Sequence, residues 1–184
     1  MAKVGLDSFS YHLHLEDADH PKDTLWFLER TRGLGLSGCS FSPQHLSGWE
    51  EETIRGIGAF CTQHDLYLEL TSGASDYARL CRRLILASQV GCRMLRTFIS
   101  DINADAPKEH RSVQLSFTVE NLRRLGEVAE CVGVILGIGN RGGLSTAELV
   151  DVLKRVDSPF VRASFCNAEV MAMLEDPVQA LTEL

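Results

Sequence analysis

At 184 residues, 45% hydrophobic and 23% charged, the chain has an ordinary globular composition and can bury roughly 70% of the surface its unfolded form exposes. A formal charge of -7 argues against a nucleic-acid partner, which needs a clustered basic face. No apolar run approaches the roughly 18 residues of a membrane span; with no signal-peptide core and six cysteines lacking any CxxC pair, the expectation is a cytoplasmic protein with reduced, mostly buried thiols.

The predicted elements alternate regularly. Lys3 to Asp7 reads as a first strand and Lys22 to Arg32 as a helix with Leu25, Trp26 and Leu28 on its apolar side. Leu36 to Phe41 is a second strand. Trp49 to His64 is a helix burying Ile54, Ile57 and Phe60, and Leu66 to Leu70 is a third strand. Asp76 to Val90 carries Leu80, Leu84, Ile85 and Ala87 at helical spacing, and Gly91 leads into a fourth strand, Met94 to Phe98. A polar loop, Asp101 to His110, precedes a helix from Val113 to Cys131. Val134 to Ile138 is strand five. Ser145 and Glu148 form a capping box that opens a helix from Thr146 to Val156. Val161 to Phe165 is strand six, and a last helix begins near Pro177.

Strands that alternate with helices need crossover connections, hence a parallel sheet. The reading is α/β: a parallel (β/α) barrel of the TIM type in a single domain, 1–184, with about six of the eight βα units such a barrel closes with. Strands one and six are then left as unpaired edges, which a homo-oligomer or a partner would cover.

The series VGLDSFSYHLH, LGLSGCSFSPQHL, LYLEL, GCRMLRTFIS, GVILGIGNRGG and FVRASFCNAEV resembles, in that order, the strands of the xylose-isomerase-like barrels, the sugar phosphate isomerase/epimerase superfamily. The resemblance implies proton-transfer isomerisation or epimerisation of a sugar or polyol, assisted by a divalent metal such as Mn, Mg or Zn. In the family, strand five ends in a pattern like ENHG and strand six in one like LDTGN. Here those places hold Gly139-Asn140-Arg141-Gly142 and Phe165-Cys166-Asn167. The first ligand position offers no side chain and the second a thiol, where Mg or Mn needs carboxylate oxygens. No metal ligand is assigned, and the implied activity is expected to be weak or lost.

The remaining candidates each have two readings. Glu69 and Arg96 end strands three and four; they orient substrate hydroxyls or a phosphate, with Glu69 as acid or base, or they pair with each other. His12 and His14 share a side if that segment is extended. By the resemblance, His12 and His45 contact substrate hydroxyls; otherwise they are satisfied locally. Asn140 lies beside the vacated ligand position as a substrate contact. Glu169 is a second catalytic carboxylate if its turn folds back, or a helix cap. Cys166 is a soft ligand, a nucleophile or a buried thiol. GIGNRG, residues 137–142, satisfies the dinucleotide fingerprint G-x-G-x-x-G, but its helix starts only at Ser145 and strand six supplies no ribose-binding acid. An abasic-site endonuclease, which shares the barrel, would need many metal ligands and a basic face. The alternative to a sugar enzyme is a non-catalytic barrel remnant acting as a binding or oligomerisation module.

Overall fold

The structure is a computed structural model that describes residues 3–73, 76–99, 108–140 and 144–184. Six parallel strands stand in one sheet in chain order: β1 (Gly5–Asp7), β2 (Gly38–Phe41), β3 (Tyr67–Thr71), β4 (Cys92–Phe98), β5 (Ile135–Gly139) and β6 (Val161–Ser164). The helices are α1 (His12–Leu15), α2 (Thr24–Gly33), α3 (Glu51–Gln63), α4 (Tyr77–Gln89), α5 (Lys108–Val132), α6 (Thr146–Val156), α7 (Asn167–Ala172) and α8 (Pro177–Glu183). At least one helix follows every strand, as parallel pairing demands. The chain divides into two compact units, Met1–Ser72 with Ile85–Leu95 and Gly73–Leu84 with Arg96–Leu184.

In the first unit α3 buries Ile54, Ile57, Gly58 and Cys61, the stripe spacing of a one-sided helix. Gly58 lets that helix approach the chain at Val90: a Cβ there would lie 2.6 Å from the Val90 side chain and 2.7 Å from its carbonyl oxygen. Phe27 of α2 meets Phe41 of β2 edge-on at 5.1 Å. Gly38 of β2 lies under the Tyr67 ring, which takes the volume a side chain would need. Cys39 and Cys61 are buried with their sulfurs 3.7 Å apart. The hydrogen bond to Cys61 and burial both push the Cys39 thiol well above its usual range, and burial pushes Cys92 up to about 12. They are thiols, not thiolates.

In the second unit α6 buries Leu149, Val152 and Val156. Its capping box forms as the sequence implies, with Ser145 and Glu148 bonding each other's backbone N–H. Arg111 of α5 closes on the same Glu148, with Nη2 2.7 Å from Oε2. That bond, the largest cause, holds the Glu148 carboxyl at about 2. A second carboxylate serves the same helix start. Glu175, between α7 and α8, accepts from Thr146 N–H at 3.1 Å and from its hydroxyl at 2.6 Å.

Three local expectations are corrected. The segment after β1 is helical rather than extended: a 3-10 turn, Ser8–Tyr11, opened by the Asp7 carboxylate on Phe9 N–H, and then α1. The helix read as Val113 to Cys131 runs from Lys108 to Val132. Strand six ends at Ser164, and Cys166 is the N-cap of α7. Residues 141–143, which complete the glycine-rich fingerprint, and 101–107 of the polar loop lie outside the described residues.

Candidate functional site

In the first unit, parallel register sets Asp7 beside Ser40 and Ser40 beside Glu69. Residues in register across parallel strands face the same side, so these three make one polar row. Ser40 Oγ is buried and has no hydrogen-bond partner, which leaves a desolvated hydroxyl between two carboxylate-bearing positions. An unmet buried donor and acceptor of this kind costs about 1–3 kcal/mol. Glu69 is the third of five residues in β3, and so lies inside the strand rather than at its end.

Beside this row runs a second polar chain. Ser8 Oγ accepts from Ser42 N–H at 2.8 Å and lies 2.8 Å from His45 Nδ1, while His45 Nε2 lies 2.8 Å from Glu16 Oε1. With Nε2 carrying the proton toward Glu16, Nδ1 accepts the Ser8 hydroxyl proton. The order serine, histidine, carboxylate is that of a hydrolytic triad, but Ser8 is 0% exposed and meets no substrate. Both nitrogens of His45 are engaged, so the imidazole ties the loops after β1 and β2 together. His12 Nδ1 sits 2.9 Å from Phe9 O, its ring stacked on Phe9 at 4.9 Å, and His14 lies against Tyr11 and Trp26.

In the second unit, Arg96 is fifth of seven residues in β4, again inside its strand. Its Nε donates to Ser164 Oγ at 2.8 Å. Ser164 is in register with Gly139 on β5, the strand between. A Cβ built on Gly139 would stand 2.6 and 2.7 Å from Phe98 ring carbons. The residue after it, Asn140, is buried, and its amide makes a reciprocal pair with the Cys166 backbone: Nδ2 donates to the carbonyl at 3.2 Å and Oδ1 accepts from N–H at 3.1 Å. Glu169 lies in the first turn of α7 and is partly buried.

These contacts decide the fit of a divalent metal at positions 139 and 166. A ligand side chain at 139 has no room beside Phe98, Asn140 already holds the Cys166 backbone, and no cluster of three His, Cys, Asp or Glu suited to a metal exists among the described residues. The residues present do not fit the ion.

Sequence reasoning missed Ser8, Glu16, Ser164 and Phe98, the partners that define what His45, Arg96 and Gly139 do. Only Ser8 had a local signal, since Asp7-Ser8 follows a strand in the pattern of a helix cap.

No family model matches this chain, and no curated protein does. Solved structures do match. A D-tagatose 3-epimerase-like protein has a TM-score of 0.78 at 14% identity, covering 100% of this chain and 71% of its own. A D-psicose 3-epimerase crystallised with D-fructose gives 0.76 at 16%, covering 98% and 69%. The probable 3-DHS dehydratase AsbF of Bacillus anthracis gives 0.76 at 14%, covering 100% and 69%. The fold is thus that of the xylose-isomerase-like TIM barrels. Fold alone does not fix chemistry.

Proposed function

We propose that this protein is a divergent isomerase/epimerase-like barrel that binds a sugar or polyol through Asp7, Ser40 and Glu69, with its metal-dependent proton transfer weak or lost. The observation that carries the reading is the orphaned Ser40 hydroxyl, set in register between two carboxylate-bearing strand positions. Polyols offer closely spaced hydroxyls that both donate and accept, the complement of such a row. In this reading Glu69 is the residue that exchanges a proton with the substrate, Glu169 a second carboxylate of the same chemistry, and Arg96 and Asn140 hold oxygens from β4 and β5. The protein works in the cytoplasm, where Cys39 and Cys61 stay reduced. Among the described residues, no helix is long and apolar enough to cross a membrane.

Calorimetric titration with D-fructose, and an epimerisation assay of the same sample with Mn, Mg or Zn, test this directly. Saturable binding that Ser40→Ala and Glu69→Gln both weaken, with no metal-dependent turnover, is the expected result. Absence of binding overturns the ligand assignment, and brisk metal-dependent epimerisation overturns the loss of catalysis. A thermal melt with each metal adds a check: an ion at about 100 times its Kd contributes about 2.7 kcal/mol, a rise of roughly 5–10 °C at this size, and no such rise is expected.

A second reading, an oligomerisation module, rests on the C-terminal helices, where Met171, Leu174, Val178 and Leu181 are 62, 95, 76 and 61% exposed. Light scattering at rising concentration separates the two. A monomer throughout removes the second reading; a dimer lost on Val178→Asp and Leu181→Asp supports it.

A further inference from the structure

The second unit contains a cavity of about 620 Å³ bounded by the start of α4, the end of β4 and the first half of α5. That volume is within the range of small-molecule sites. Its floor is apolar, with Leu80, Leu122, Leu125 and Ile138. Its walls include three aromatic rings, Tyr77, Phe98 and Phe117. Phe117 is 71% exposed, an unusual place for a phenylalanine unless something flat lies against it. Tyr77 is held in place by Arg124, whose guanidinium carbon sits 4.3 Å from the ring centroid.

Two acceptors face this apolar box. Gln114 Oε1 is shielded from water and has no hydrogen-bond partner, a condition that proteins seldom leave unanswered. Asp76 caps α4 through Arg79 N–H at 2.8 Å and adds a carboxylate. Acceptors without a matching cation select a ligand that brings its own donors, and the Asp76 carboxylate with the chain's charge of -7 disfavours an anion.

We infer that this cavity is a binding site for a small, uncharged or cationic aromatic molecule bearing an N–H donor, with the donor on Gln114 Oε1 and the ring stacked against Phe117 or Tyr77. It shares no residue with the polar row of Asp7, Ser40 and Glu69, so it is separate from the sugar reading and stands or falls independently.

Indole and 1-methylindole are the probes, titrated into the full chain by calorimetry and followed by ligand-observed NMR. They share a ring and differ in the donor. Indole is expected to bind saturably at one site, about fivefold or more tighter than 1-methylindole, the effect of one hydrogen bond. Gln114→Leu should erase that difference. Thr118→Trp, which fills the cavity from its partly exposed wall, should abolish binding of both; a cooperative melt of the same sample shows that the variant is folded, and Asn121→Trp provides a second filled cavity. Equal affinity for the two probes, binding unaffected by either filled cavity, or no saturation in the low millimolar range overturns the assignment.

Discussion

The two units treat the polar groups around their strands in opposite ways. In the first, side chains bond to side chains across long sequence distances: Ser8 to His45 to Glu16, beside the row of Asp7, Ser40 and Glu69. In the second, the key position carries no side chain at all. Phe98 fills the space over Gly139, and Asn140 bonds to the Cys166 backbone rather than to another functional group. The first unit retains hydroxyl-binding chemistry; the second has exchanged ligand chemistry for packing. A barrel scaffold tolerates both because its backbone ladder is indifferent to what the inner side chains do.

The strongest way to test this contrast is to add a methyl group to each unit. Gly38→Ala sets a Cβ against the Tyr67 ring and its backbone carbonyl, which cannot move without breaking the sheet. A loss of about 3 kcal/mol is expected, a fall of roughly 6–12 °C in Tm. At Gly139 the obstacle is mainly the Phe98 side chain, so Gly139→Ala should cost about 1–2 kcal/mol and be largely restored by Phe98→Leu. Equal losses, or no restoration, would break the contrast.

The polar chain comes next. His45→Ala strands Ser8 Oγ in a buried site and should lose about 2–3 kcal/mol in urea unfolding. Asn140→Ala removes two backbone contacts in the other unit and should lose about 1–2 kcal/mol. If Asn140 proves the more costly, polar bonding is not what distinguishes the first unit.

A smaller, pH-dependent effect concerns Glu148. Its carboxyl is held at about 2 by Arg111, below its unfolded value, so its contribution is present above roughly pH 4.5 and is lost as pH falls toward 2. Stability curves of wild type and Glu148→Gln should differ by about 1–2 kcal/mol at pH 7 and converge near pH 2. Parallel curves would show that the ion pair contributes nothing. The smallest effect is expected from Arg96→Met, about 1 kcal/mol or less, since Arg96 keeps one printed contact, to Ser164, near the surface of its strand.

Much of the fold was legible in the sequence because apolar periodicity and caps are local. The stripe of Ile54, Ile57 and Cys61 and the box of Ser145 with Glu148 are written within a few residues. The helical course of Ser8 to Leu15 was not, since its start depends on a single aspartate turning the chain. The loss at Gly139 could be read as a missing side chain. That Phe98 fills the gap could not, because 41 residues separate the two in sequence. His45 shows the same limit. Its type and position suggested a substrate contact, but its role is set by Ser8 and Glu16, 37 and 29 residues away.

The double grip of Glu175 on Thr146 has a consequence for how the chain opens. Because the first donors of α6 are satisfied by a residue beyond α7, detaching the C-terminal helices also uncaps α6. These elements should therefore come apart as one cooperative block, with the Thr146 amide exchanging its hydrogen on the timescale of the chain's last twenty residues rather than that of its own helix interior.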